Sequence, residues 1–257
     1  ATSGPMLGDN VGRHGRTPNG ERVQGVWEFA PVKNLKQMQQ FLGCCNWLRT
    51  YMVPLYSQLI KVLGPFLKEE TVYPAEGLGP GSSAADKAVR GLKLLAKYYI
   101  EMGCLDEIAA ISGTRPLEQI ADSSGIAWGG MCIQMTPDMD GFNVLCAAGK
   151  SLTPSQQAWD PLSLEGNAQL QMKRHQNRVL GHMRSKCWTD HANWTRQGDK
   201  VGIEVKHLRW YSEIVSDGSE VRSLSGRTAV LGDGISRNPI DRDSVMEQRS
   251  RDLQGFA

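Results

Sequence analysis

The stretch LEQIADSSGIAWGGMCIQMTPDMDGFNVLCAA, residues 117–148, decides the fold. Its short runs of Ile, Val, Trp and Cys are cut apart by Gly, Asp and Pro, a pattern of strands joined by tight turns rather than of helix. Residues 117–122, 126–134 and 142–148 are therefore expected as three consecutive strands. Downstream, Asp160-Pro161 sets a side-chain acceptor at an N-cap and a proline at the first helical position, where a missing amide is no loss. The helix opened there is expected to reach about Leu180. Residues 186–190 and 220–224 read as two further short strands, with a helical segment at 208–214 between them and a last short helix beyond. The order strand, strand, strand, helix, strand, helix, strand defines an α/β unit over 117–239, followed by a polar tail, 240–257.

The first hundred residues read as mainly helical. Residues 1–33 are rich in Gly, Pro and charge and predict an irregular entry segment with room for one strand. From Asn34 the period changes. Leu35, Met38, Phe41, Leu42, Cys45 and Leu48 recur at helical spacing, with Asn34 placed as N-cap and Gln37 at the third helical position. A second series, Leu59, Ile60, Leu63, Phe66 and Leu67, is interrupted by Gly64-Pro65, which predicts a kink or two short helices. The glycine-rich run 77–83 reads as a linker, so a boundary is expected after residue 76. Ala85, Val89, Leu92, Ala96 and Tyr99 then describe a further helix, with Gly103 placed to end it, inside a connecting unit 77–116.

Bulk properties narrow the function. Lys+Arg 29 against Asp+Glu 27 leaves a formal charge of +2 over 257 residues, so no strong overall field marks a nucleic-acid binder, and any such role must rest on local patches. Six cysteines show no C-x-x-C pair and sit mostly in apolar runs, which reads as reduced, buried thiols rather than disulfides or a structural zinc site. The five histidines have no paired zinc spacing. No run is long and apolar enough to span a bilayer, and a soluble chain in a reducing compartment is the expectation. Ala1 in place of an initiator methionine fits a piece of a longer open reading frame or a processed product.

Chemistry is expected from acids at strand ends. Asp122 ends the first strand of the α/β unit, Glu165 lies in the first turns of the long helix, Asp190 ends the fourth strand, and Asp233 starts the last helical segment. Carboxylates brought from four elements to one sheet edge would suit a hard divalent cation, which prefers oxygen ligands. The bland reading of any one of them is a turn or cap.

Words along the chain sharpen this. Residues 6–48, with the words from Met6-Leu-Gly8 through Phe41-Leu-Gly43, together with Ile120-Ala-Asp-Ser-Ser-Gly125, Gly149-Lys-Ser-Leu-Thr-Pro154, Trp159, Thr189-Asp-His191, Leu208-Arg-Trp210 and Gly232-Asp-Gly-Ile-Ser-Arg237, resemble the C-terminal part of gypsy-type LTR retroelement reverse transcriptases. The resemblance covers residues 6–239 in the family's order. It implies a palm end and thumb-like segment over 1–76, a connection helix, and a ribonuclease H-like domain with a mixed five-stranded sheet and flanking helices. It also implies that Asp122, Glu165, Asp190 and Asp233 hold two Mg²⁺ ions, with Mn²⁺ as the alternative, and that the partner is an RNA–DNA hybrid whose RNA strand is hydrolysed. Lys173, Arg174, Arg178 and Arg184, with His191 beside Asp190, are the local candidates for binding nucleic acid, against the plainer reading of a solvated helix face.

The departures point the other way. The family has two leucines after its glutamate, where this chain has Gly166-Asn167 before Ala168. Glycine costs about 0.8–1.0 kcal/mol in a helix interior, so the helix that aims Glu165 is expected to be loose. Trp188 stands where a smaller strand residue is common, and no Tyr-x-Asp-Asp word is present, so polymerisation by this chain alone is excluded. The rival reading is a decayed domain kept as a structural or interaction subunit of a larger assembly, and a third is an unrelated α/β binding module.

Overall fold

The computed structural model describes residues 3–53, 55–191, 193–196 and 204–223, with backbone alone at Ser3 and Arg196. The entry segment holds more order than its composition suggests. Strands β1 (Ser3–Met6), β2 (Asp9–Gly12) and β3 (Gly15–Pro18) form an antiparallel meander in place of a single strand. Leu7 and Gly8 between the first two have φ of 52° and 90°, the left-handed pair that a two-residue hairpin turn requires. Strands of four residues containing Gly and Pro show no readable alternation, which is why they are hidden in the sequence.

The helical segment follows its apolar spacing. Helix α1 (Gly20–Trp27) precedes α2 (Leu35–Leu48), whose start is fixed twice: Asn34 Oδ1 accepts from the Gln37 N–H at 2.9 Å, and Gln37 Oε1 accepts from the Lys33 N–H at 2.7 Å. Helix α3 (Tyr56–Leu63) stops at Gly64-Pro65, and residues 64–67 tighten into a 3-10 turn, as the proline dictates. Helix α4 (Ala84–Lys97) opens on a reciprocal capping box between Ser83 and Asp86. Met38, Phe41 and Leu48, Leu59 and Leu63, and Val89 and Leu92 meet in one core. Leu78, from the glycine-rich run, is buried in the same core and bridges to Val32. Gly103 does not end α4. It lies in strand β4 (Met102–Gly103), paired with β3, where a Cβ would meet Asn143 Cβ at 2.6 Å.

After a short helix, α5 (Glu107–Ser112), come β5 (Leu117–Ser123), β6 (Ala127–Met135) and β7 (Phe142–Ser151), then the single-turn α6 (Pro154–Gln157), α7 (Pro161–Leu180), β8 (Ser185–Thr189), α8 (Val205–Val215) and β9 (Glu220–Ser223). Spatial order is β7-β6-β5-β8-β9, antiparallel from β7 to β5 and parallel from β5 to β9. This is the expected mixed sheet with flanking helices, the ribonuclease H-like fold. Asp160 caps α7 as expected, accepting from the Ser163 N–H at 3.0 Å.

Both faces of the sheet are covered, which explains why β6 is buried along nearly its whole length. On the α7 side, Leu117, Ala121, Cys132 and Leu145 pack against Ala168 and Met172. On the other, Ile120, Met131, Ile133 and Ala147 pack against Tyr51, Val53 and Met102, and this cluster joins the sheet to the preceding segment. Four of the six cysteines are buried and none is bridged. No described helix is long and apolar enough to cross a membrane.

Candidate metal centre

The parallel ladder between β5 and β8 runs from Leu117 opposite Ser185 to Ile120 opposite Trp188 and has no registered pair beyond. Past that last pair the two strands fork, with Asp122 near the end of β5 and Asp190 immediately after β8. Helix α7 brings Glu165 to the same place. One carboxylate oxygen from each of Asp122, Glu165 and Asp190 lies within 4.8 Å of the other two. Asp233, the fourth acid, lies outside the described residues.

The three acids differ in setting. Asp190 is exposed, Asp122 half-buried, and Glu165 only 5 % exposed. Burial pushes Glu165 up to about 8, and the negative charges of Asp122 and Asp190 add to it, against hydrogen bonds from Thr189 and Gln169 that favour the carboxylate. A nearly buried carboxylate facing two others is a site short of positive charge. All-oxygen donors from three elements match a hard divalent cation, so the residues present fit such an ion.

Positioning side chains surround the trio. Thr189 Oγ1 donates to Glu165 Oε1 at 2.7 Å and accepts from the His191 N–H at 3.1 Å, tying the helix to the turn that carries Asp190. Gln169, one turn after Glu165, is fully buried; its Nε2 donates to the Ala121 carbonyl at 3.0 Å and the Trp188 carbonyl at 2.7 Å. Gln119 Nε2 donates in turn to Gln169 Oε1 at 2.9 Å. These residues do not stand out in the sequence; the available signal is two polar residues at core-facing positions of β5 and α7. Trp188 is accounted for by a bond from its Nε1 to Glu118 Oε2 across the ladder, 3.0 Å.

The expected weakness at Gly166 is corrected by the structure. The fully buried indole of Trp194, in the 3-10 turn Trp194–Arg196, occupies the space over Gly166, where a Cβ would meet Trp194 Cη2 at 2.5 Å. The missing leucine volume is thus supplied from another element. His207 is buried beside Trp194, ring centroids 5.8 Å apart, and its Nε2 lies 2.8 Å from Ser163 Oγ, which donates to the capping Asp160. This chain of contacts locks α8 to the start of α7.

The basic set divides. Lys173 is not on a solvated face: it is 1 % exposed, and its ammonium meets Asp217 at 2.7 Å while donating to Ser219 Oγ, Ser185 Oγ and the Met183 carbonyl. It holds α7 to the segment before β9 and has no free donor to reach a phosphate. Arg174 makes a bidentate pair with Glu213 of α8, at 2.6 and 2.8 Å. Arg178 and Arg184 are exposed, and Arg184 donates to the Gly218 carbonyl at 3.2 Å. His191 is half-buried beside the trio.

No family model matches the chain. In sequence it is similar to the Transposon Tf2-3 and Tf2-4 polyproteins of Schizosaccharomyces pombe, 35% identical over 65 residues in each case, 25% of this chain and 5% of the polyprotein. The match spans about a twentieth of those relatives' length. In structure it is similar to foamy viral protease-reverse transcriptase in complex with double-stranded DNA, TM-score 0.64 at 14% identity over 88% of this chain and 45% of that one. The same viral protein in complex with an RNA/DNA hybrid gives TM-score 0.61 at 14% identity over 93% of this chain and 30% of that one. The sequence match is to retroelement polyproteins, and the structural likeness, at 14% identity, is one of fold.

Proposed function

We propose, with the ribonuclease H-like fold and the likeness to retroelement polyproteins as premise, that the chain is a divalent-metal-dependent endonuclease that hydrolyses the RNA strand of RNA–DNA hybrids. The observation that carries this reading is the meeting of Asp122, Glu165 and Asp190 at the fork between β5 and β8.

Asp122, Glu165 and Asp190, with Asp233 as the fourth, would hold Mg²⁺, two ions in all, and Mn²⁺ would serve in its place. When bound, such ions activate a water and stabilise the leaving 3′ oxygen of a phosphodiester. Three carboxylates leave one positive charge uncompensated against two divalent ions, and Asp233 would complete the balance. The chain's own residues do the rest. Thr189 keeps Glu165 turned toward its neighbours, and the buried side of the site restricts bulk water at Glu165. Exposed Asp190 and adjacent His191 form the open side, where the scissile strand would enter. Arg178 and Arg184 would meet phosphates of an A-like duplex, whose wide minor groove and 2′-hydroxyls distinguish it from DNA.

The test is cleavage of the labelled RNA strand of a hybrid with Mg²⁺, against Asp190→Asn. Metal-dependent cleavage by the wild-type chain alone is the expected result. Cleavage no greater than that of the variant removes the enzymatic reading and leaves the trio as a remnant in a structural or interaction subunit.

A further inference from the structure

The fork between β5 and β8 has to be set by something other than the ladder, because the last backbone pair is Ile120 with Trp188 and both acids lie beyond it. At the fork, two carbonyls, of Ala121 and of Trp188, turn to the same donor, Gln169 Nε2, at 3.0 and 2.7 Å. Ala121 directly precedes Asp122; Trp188 lies two residues before Asp190. Gln169 is also one helical turn from Glu165, so a single amide is in contact with all three elements that carry the trio. A buried glutamine is costly unless its groups are paired. Here Oε1 is paired too, by Gln119 Nε2, which also donates to the Gln169 carbonyl at 3.1 Å. Both side chains are fully buried, in positions that a plain core would fill with an apolar residue.

We propose that Gln169 is the positioning residue of the centre: its amide bridges the β5 and β8 carbonyls at the fork, and this sets the separation of Asp122 and Asp190 about Glu165. The inference rests on the reading of these three acids as a metal centre. Gln169 touches neither ion nor substrate; it acts through the backbone carbonyls on either side and through its own contact with the Glu165 carboxylate. Gln119 is its support, fixing which way the amide faces. Removing a partner that orients metal ligands weakens metal affinity by about 10–100-fold in known sites, and the same range is expected here.

The experiment measures Mn²⁺ binding to the full 257-residue chain by electron paramagnetic resonance of the free ion, alongside thermal melting, with no substrate present. Gln169→Met keeps the length and volume but has no proton to donate; it is expected to melt cooperatively and to bind Mn²⁺ about tenfold more weakly. Gln119→Met leaves the fork bridged but frees Oε1, and a smaller loss, about threefold, is expected; it also keeps the test open should Gln169→Met not fold. Leu145→Ala is the control, since it opens the core against α7 without touching the fork. Its folded form is expected to bind Mn²⁺ like wild type. Unchanged Mn²⁺ affinity in whichever glutamine variant folds overturns the assignment. So does an equal loss in Leu145→Ala, which would make the effect one of stability. Failure of the wild-type chain to bind Mn²⁺ would remove the metal-centre reading, and this inference with it. Binding without hybrid cleavage would remove only the enzymatic reading.

Discussion

Trp194 and Gly166 are shaped for each other: the indole lies where any side chain at position 166 would have to be, with Cη2 at 2.5 Å, Cζ3 at 2.7 Å and Cζ2 at 2.9 Å from a Cβ built there. The glycine that weakens α7 as a local helix is what lets a residue just past β8 reach into the core beside Glu165. Trp194 also donates its backbone N–H to the His191 carbonyl at 2.8 Å, so the same residue closes the turn that follows Asp190.

That complementarity predicts strong coupling. Trp194→Ala empties a fully buried aromatic site and is expected to cost about 3–5 kcal/mol. Gly166→Leu alone is expected to be destabilising, since the indole is held on its other sides by His207 and Tyr211 and cannot simply withdraw. Combined, the two changes restore leucine volume over α7, and the double variant is expected to be more stable than the sum of the singles by at least about 1 kcal/mol. Urea unfolding of all four chains measures this; additive costs would show that the packing of the pair is incidental.

The contrast shows what the sequence could carry. Elements built on local signals were legible: the Asp160-Pro161 start of α7, the stop at Gly64-Pro65, the Asn34 cap and the three strands after Leu117. So were three acids at the ends of elements, because strand ends and a helix start converge in this topology. What stayed hidden depends on partners distant in sequence. Gly166 read as damage because the atoms that fill its space belong to residue 194. Lys173 read as a surface cation because its counter-charge, Asp217, lies beyond the next strand and helix. The hairpins before Pro18 were hidden for another reason: strands of four residues offer too few side chains for a period to emerge.

The buried pair Lys173–Asp217 carries a stability prediction with a pH sign. Burial works to raise the Asp217 carboxyl, but the Lys173 ammonium and the Ser219 hydroxyl outweigh it and hold it below the usual aspartate value. A carboxyl depressed in the folded state stabilises above its unfolded pKa, near 3.9, and that stabilisation is lost as pH falls through the lower folded value. Asp217→Asn is therefore expected to lower stability at pH 7 and to flatten its decline in acid. Lys173→Met, leaving Asp217 buried and unpaired, is expected to cost about 3–5 kcal/mol, and adding Asp217→Leu to recover most of it. Denaturant titrations from pH 7 downward check both; a wild-type acid limb unchanged by Asp217→Asn would contradict the assignment.

Metal and pH are expected to be linked through Glu165. With its folded pKa near 8 against an ordinary 4.5, the metal-free chain keeps a proton there that the unfolded chain releases. Its contribution to stability is full below about 4.5 and declines as pH rises toward 8. A divalent cation takes the proton's place, so the rise in melting temperature on adding Mn²⁺ should be larger at pH 8 than at pH 6. Glu165→Gln should flatten the metal-free slope and abolish that difference. Melts in chelator and in Mn²⁺ at the two pH values decide the matter, and an equal rise at both would refute it.

Thr189→Val tests the link between β8 and α7. It removes the hydroxyl that donates to Glu165 and accepts from the His191 N–H, at nearly constant volume. Loss of a bond to a buried carboxyl is expected to cost about 1–3 kcal/mol. Thr189→Ser, which keeps the hydroxyl, should retain most of the wild-type Mn²⁺ affinity. Equal Mn²⁺ affinities for the Val and Ser variants would show that the hydroxyl has no part in presenting Glu165.

The cations differ in the partners they already have, and their expected parts in binding a hybrid differ accordingly. Removing one cation from a phosphate lowers the slope of log affinity against log salt by about 0.9 for a B-form duplex, so fluorescence anisotropy on a hybrid across a salt series reads the phosphate-bound cations one at a time. Arg178 and Arg184 are exposed, and their alanine variants are each expected to weaken binding and to reduce the slope by about one. Arg174 is engaged by Glu213, so Arg174→Ala should change the slope less, and Glu213→Gln should raise affinity by freeing the guanidinium. Lys173 has its ammonium fully committed inside the fold; a folded Lys173→Met/Asp217→Leu chain should keep the wild-type slope. Were that double variant to show a slope smaller by a full unit while Arg178→Ala and Arg184→Ala did not, the nucleic acid would have to lie against a different face from the one that Arg178 and Arg184 mark.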